Sequence, residues 1–248
     1  MPELHVGLGT ASTFFLVLMR TAALVSVAPP FSEAQVPKRI RLALAMVISA
    51  VLCMGLPPST LLAEPTLSVI LSGALRETLL GIAGGLGMKL VFEASSAAGY
   101  MAGTSMGLGF GSLAGMGSDT QAVSQLVRLL TLGAILGLGI HRDAIAWLYG
   151  SLRSFPPGGS IHLLQLASAC VGYAIYSIAL AVRVIFPVLA ASLLGHLVLG
   201  IVSRSAPQIN IQSVGFSESI IAGQTALYFA APLVAASVGA ATVASILP

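Results

Sequence analysis

Long apolar runs separated by short turn-forming clusters dominate the chain. The runs cover residues 14–31, 42–63, 67–92, 126–150, 163–182, 184–202 and 220–247. Several approach or exceed the roughly 20 residues a helix needs to cross a hydrocarbon layer about 30 Å thick. Between them lie helix breakers: Pro29-Pro30, Pro57-Pro58, a glycine-rich stretch over 99–117, Pro156-Pro157-Gly158-Gly159, and Ala206-Pro207-Gln208. No apolar/polar alternation persists between turns, and the runs are far longer than the roughly 9 to 11 residues of a membrane β-strand. The pattern predicts an all-α membrane protein with six to seven helical segments.

These runs are not clean membrane spans. Arg20, Arg76-Glu77, Lys89, Glu93, Arg128, His141-Arg142-Asp143 and Arg183 all fall within them. A charge at the bilayer centre costs a few kcal/mol even on insertion scales, so such groups face protein or water. Arg76-Glu77 and Arg142-Asp143 read as self-neutralising neighbours, and Lys89 with Glu93 as an i, i+4 pair on one helix face. Part of the apolar surface is therefore expected to meet partner subunits rather than lipid. The alternative for the acids is a proton relay or a coupling site of a transporter.

Composition strengthens the membrane reading. Of 248 residues, 56% are hydrophobic and 8% charged, against roughly 25% charged in a soluble domain. Aromatics make up only 6% while glycine numbers 27, a mixture suited to helices whose backbones approach closely. No stretch has room for a soluble domain, so residues 1–248 read as one membrane unit. The net charge of +3, from 11 basic and 8 acidic side chains, is scattered, with no cluster able to track nucleic acid. Lys38, Arg39 and Arg41 form the clearest basic loop, expected on the cytoplasmic side. The opening Met1-Pro2-Glu3-Leu4-His5 has no basic segment ahead of the first apolar run, so no cleavable signal is expected.

Chemistry-bearing motifs are absent from the sequence. His141, His162 and His196 lack neighbouring ligands, and Cys53 and Cys170 sit alone in apolar runs. There is no Gly-x-Ser-x-Gly elbow, Walker loop or His-Glu-x-x-His element. No catalytic residue, metal site or cofactor is predicted, and the chain is expected not to be an enzyme.

The most unusual local feature is a glycine at every fourth position: Gly99, Gly103, Gly107, Gly111 and Gly115, joined by Gly109 and Gly117. On a helix this lays a small-residue stripe for a neighbouring helix; in irregular backbone it makes a supple loop. Gly81/Gly85 and Gly133/Gly137 repeat the spacing elsewhere. The crowding of glycine toward the end favours a loop over Met106–Ser118. Met106, Leu108, Phe110, Leu113 and Met116 would give such a loop soft apolar contacts in a constriction. Spacing alone does not choose between the stripe and the constriction. Gly109-Phe110-Gly111 resembles the end of a potassium-channel filter but lacks the preceding threonine and a pore helix.

Three segments, in order, resemble the FliR family of the flagellar and type III secretion export gate. The first runs Arg20-Thr-Ala-Ala-Leu-Val-Ser-Val-Ala-Pro-Pro-Phe-Ser-Glu-Ala-Gln-Val-Pro-Lys-Arg-Ile-Arg-Leu-Ala-Leu-Ala-Met46. The second is Gly99–Gly111, with Met106-Gly107-Leu108-Gly109-Phe110 toward its end, and the third is Gly200-Ile-Val-Ser-Arg-Ser-Ala-Pro-Gln-Ile-Asn-Ile-Gln-Ser-Val-Gly-Phe216. Gln212 stands where the family usually has an apolar residue, and the stretch after Phe110 is richer in glycine than the family pattern. Ala206-Pro207-Gln208-Ile209-Asn210 and Val214-Gly215-Phe216 look closer to the flagellar branch than to the virulence-type one, which is the alternative; a stand-alone transporter or ion channel is the third.

The resemblance implies tilted helical hairpins in a conical, pseudo-helical export gate built with FliP and FliQ. It further implies contacts with FlhB, FlhA and the basal-body ring, and unfolded substrates in transit through the inner membrane among membrane lipids. It divides the chain into a FliP-like portion, residues 1–183, and a FliQ-like portion, 184–248. By match to the family's plug, Met106, Leu108, Gly109, Phe110, Gly111, Leu113, Met116 and Gly117 are expected to close the pore. Arg20, Pro37, Lys38, Arg39, Pro207 and Gln208 are expected at subunit contacts or structural turns.

Overall fold

A computed structural model of the chain describes residues 2–56, 66–106, 119–160, 162–205, 220–226 and 228–229. Among the described residues, six long helices follow one another: α1 (Pro2–Val27), α2 (Lys38–Met54), α3 (Leu67–Ser105), α4 (Asp119–Gly137), α5 (Ile140–Ser154) and α6 (Leu163–Ser205). Residues 220–226 are also helical, and no strand occurs among the described residues. Gly9–Val27, α3 and α6 are long and apolar enough to cross a membrane. The chain is an all-α membrane protein. With 43 residues in α6 and a rise of 1.5 Å per residue, that helix is about 64 Å long, roughly twice the hydrocarbon thickness. Much of it stands outside that layer unless it is strongly inclined.

Among the boundaries that differ from the sequence reading, three have a clear physical reason. The runs 163–182 and 184–202 are one helix, because a charged Arg183 does not interrupt backbone hydrogen bonding; it only selects an exposed face. Pro187 lies inside that helix, removing one amide donor without ending it. The run 126–150 is instead broken, since Gly139 takes φ of 74° and starts α5 from a left-handed residue. The glycine-rich stretch is helical through Ser105, so α3 extends past the run that ended at residue 92.

Contacts divide the chain into two compact units, each assembled from separated segments: Met1–Leu90 with Gly139–Ala174, and Val91–Leu138 with Ile175–Ala241. In the first unit α1 and the N-terminal half of α3 run parallel. Leu16 packs on Gly73, Arg20 on Glu77 and Gly81, and Val27 on Gly85. Residues 73, 77, 81 and 85 share one helix face at intervals of four, and three of them are glycines. A Cβ on Gly81 would lie 2.8 Å from that of Ala23, so this closeness requires glycine. α5 buries Ile140, Ala144, Leu148 and Leu152 along one stripe, and its Trp147 ring fills the space over Gly84. α2 packs against α1 and buries only Ala45, Ser49 and Leu52.

In the second unit the C-terminal half of α3 and α4 run antiparallel. Phe92 lies under the Arg128 guanidinium at 4.9 Å from the ring centroid, and the Ser124 hydroxyl donates to the Ser96 carbonyl at 3.0 Å. A Cβ on Gly99 would meet Val127 at 2.9 Å, so here the glycine ladder acts as a packing stripe. Gly133 and Gly137 face open space. α6 buries Ser177, Leu180, Ala181, Val184, Ile185, Val188, Ser192 and Gly195 on one side. It leaves Val182, Phe186, Leu193 and Leu197 exposed on the other.

Candidate functional site

Of the residues expected to form the constriction, Met106 is the described one. Leu108, Gly109, Phe110, Gly111, Leu113, Met116 and Gly117 lie outside the described residues, as do Pro207 and Gln208. Met106 follows directly on α3, its amide donating to the Ala102 carbonyl at 3.0 Å. It is fully buried and closes a stripe of small buried residues at four-residue spacing, Ala94, Ala98 and Ala102. Its side chain rests on Gly223 in the helical segment 220–226, so closely that a Cβ there would fall 2.6 Å from the Met106 Cε and nearer still to its Cγ. The helix end that precedes the glycine-rich segment is thus held by one flexible apolar side chain set into a position without a side chain.

Arg20 occupies a different kind of position. It lies in the C-terminal third of α1 at 0% exposure, and its Nε donates to the Glu77 carboxylate of α3 at 2.5 Å. Its Nη1 donates to the Ser151 hydroxyl of α5 at 3.1 Å, and its Nη2 to the Phe155 carbonyl at 2.9 Å. The second Glu77 oxygen accepts the Gly158 amide at 3.0 Å. That amide is presented by a tight turn in which Gly158 has φ of 79° and the Gly159 amide returns to the Pro156 carbonyl. Proline at the second position and a positive φ at the third are the marks of a type II turn. One buried ion pair therefore ties three helices and a turn together. Burying two charges is costly, and the cost is offset only when their remaining hydrogen-bonding groups are also satisfied; here four hydrogen bonds converge on the pair.

This arrangement corrects the reading of Arg76-Glu77 as a self-neutralising pair. Successive residues on a helix do not face each other, so Glu77 turns inward to Arg20 while Arg76 is exposed. Among the described residues neither Arg142 with Asp143 nor Lys89 with Glu93 closes to ion-pair distance. Two of the charges embedded in apolar runs are accordingly neutralised within the chain, without a partner subunit.

The basic turn is built differently. Pro37 precedes α2 with φ of −58° and ψ of 141°, and its carbonyl accepts the amides of Ile40 and Arg41. The Arg41 Nη2 donates to the Glu33 carbonyl at 2.6 Å, which fixes the loop. Lys38 and Arg39 are exposed.

The sequence pointed to Glu77 but not to its pairing with Arg20, and it did not point to Gly223 as the seat of Met106. The signal for Glu77 was present: an acid falling on the glycine face defined by residues 73, 81 and 85 must be buried with that face. Gly223 carried no comparable signal.

Comparison with known proteins places these features in a family. The family described as bacterial export proteins, family 1, matches over residues 11–243. The chain is similar to the flagellar biosynthetic protein FliR of Escherichia coli (strain K12), 32% identical over 229 residues, spanning 90% of this chain and 85% of that protein. It is 30% identical over 230 residues to FliR of Pectobacterium carotovorum subsp. carotovorum, covering 90% and 85%. FliR of Aquifex aeolicus (strain VF5) is 28% identical over 224 residues, covering 90% and 86%. The chain belongs to family 1 of the bacterial export proteins.

Proposed function

We propose that this chain is a non-enzymatic structural subunit of the flagellar protein export gate in the bacterial inner membrane. The observation that carries the reading is the match over residues 11–243, together with relatives named flagellar biosynthetic proteins across about nine-tenths of the chain. The exposed apolar side of α6, with Phe186 66%, Leu193 61% and Leu197 57% exposed, supports a role inside a larger membrane assembly. So extensive an apolar surface calls for lipid or for neighbouring subunits. In this reading FliP and FliQ are the immediate partners and FlhB, FlhA and the basal-body ring the outer ones. Residues 1–183 form the FliP-like portion and 184–248 the FliQ-like portion. The segment from Met106 to Gly117, with Phe110 and Met116, closes the conduit and yields to unfolded substrates.

The test is complementation in an Escherichia coli strain lacking its own FliR, scored by swimming and by export of flagellar subunits. Tagged chain should restore both and co-purify in a single copy with FliP and FliQ. Purification as a stable homo-oligomer without those proteins, in cells that stay immotile, would sink the proposal in favour of a self-contained transporter.

A further inference from the structure

Met106 is a long, flexible side chain, yet it is fully buried, and the small residues Ala94, Ala98 and Ala102 lead up to it along the same face of α3. Small residues let a neighbouring helix come close; a single large one at the end of the stripe must be given a place. Gly223 gives it one. Helix 220–226 presents a buried glycine to the methionine, and a Cβ added there would lie 2.6 Å from the Met106 Cε and 2.9 Å from its Sδ, with the Cγ closer again. The Cγ is one bond beyond Met106's own Cβ and cannot swing clear as the terminal methyl can. Relief therefore requires a change of χ1 or movement of the end of α3.

We infer that Gly223 is a positioning residue for the export gate: it seats Met106 and thereby fixes where α3 ends and where the next segment of chain departs. The inference rests on the export-gate reading above and names a residue remote in sequence from the proposed closure. Gly223 touches no substrate; it acts through Met106. An alanine at position 223 expels the methionine, and the end of α3 shifts with it. An alanine at position 106 empties the seat without adding an atom anywhere. With both substitutions the new methyl group fills part of the space that the methionine vacated, the clash is gone, and α3 returns toward its place.

The experiment uses the whole gate in cells, with three readouts: co-purification of FliP and FliQ, flagellar export, and passive ion leak across the inner membrane during idle export. Gly223→Ala is expected to keep its partners and raise the leak about tenfold or more. Met106→Ala is expected to do the same, since truncating a buried methionine costs well beyond one tenfold step in an equilibrium. Met106→Ala/Gly223→Ala should return toward the original leak, a compensation that general weakening of the fold would not produce. An assembled, tight Gly223→Ala gate overturns the inference, as does a double variant that leaks as much as Gly223→Ala alone. If Gly223→Ala fails to accumulate, the single variant Met106→Ala decides: a sealed gate exporting normally refutes the seat. Failure of the unaltered chain to recruit FliP and FliQ or to restore export would instead count against the export-gate reading itself.

Discussion

Replacing Glu77 by glutamine keeps nearly the same shape and removes one charge, which makes it a sharp probe of the buried ion pair. The carboxylate accepts from two donors at once, the Arg20 Nε at one oxygen and the Gly158 amide at the other. A glutamine side chain offers one acceptor and one donor, so whichever way it is flipped, its amide nitrogen confronts an N–H. Arg20, at 0% exposure, then carries an uncompensated charge. Breaking a buried pair from one side costs about 3–5 kcal/mol, and even the lower figure lowers the folded-to-unfolded ratio on the order of a hundredfold. The assay is unfolding of the purified gate in mixed micelles of mild detergent and dodecyl sulfate, alongside accumulation of the chain in membranes. Glu77→Gln should unfold at clearly lower dodecyl sulfate and accumulate poorly. The double variant Arg20→Met/Glu77→Met should recover much of the loss, because no charge remains buried, while Ser151 keeps its bond to the Leu148 carbonyl. Equal stability of Glu77→Gln and the parent, or a double variant as unstable as the sum of the two singles, would refute this reasoning.

Other substitutions separate glycines that are required from glycines that are not. Gly81→Val should cut accumulation severalfold, because any side chain there strikes the Arg20 carbonyl and lies 2.8 Å from the Ala23 Cβ; Gly133→Ala, with nothing within 4 Å, should raise thermal stability slightly, the helix-interior gain being about 1 kcal/mol. A melting comparison of the two variants checks both. Gly139→Ala, at φ of 74°, should lose about 1–2 kcal/mol of stability, measured by the same dodecyl sulfate titration, whereas Gly150→Ala in the following helix, also in open space, should not.

Much of the architecture could be read from the run lengths and breakers, because a helix that crosses lipid needs a continuous apolar stretch and prolines interrupt it. What the runs concealed follows from what they do not encode. Arg183 looked like a divider, yet a charge affects which face a helix exposes and not whether it continues. Gly139 looked like any of the 27 glycines, although its left-handed backbone breaks the run between α4 and α5, because a positive φ depends on where the following helix must go. Arg76 and Glu77 looked like partners because they are adjacent, while the geometry of a helix turns adjacent side chains apart. The true partner of Glu77 stands 57 residues away, a distance that only tertiary packing bridges. At the proposed closure, Met106 was singled out from the resemblance and from its soft side chain. Gly223 was not, since a seat is defined by what occupies it.

The ion pair also imposes an order on the making of the protein. Arg20 leaves the ribosome 57 residues ahead of Glu77 and 131 ahead of Ser151, so the first helix emerges with a bare guanidinium in an otherwise apolar stretch. Lipid is a poor host for such a segment, at a few kcal/mol per charge. The first helix is therefore better held in the hydrated interior of the insertion machinery until α3 arrives. It receives its full set of bonds only after Ser151 and Phe155 have been synthesised, when more than half of the polypeptide already exists. A chain arrested before Ser151 carries the Arg20 guanidinium without its full complement of acceptors.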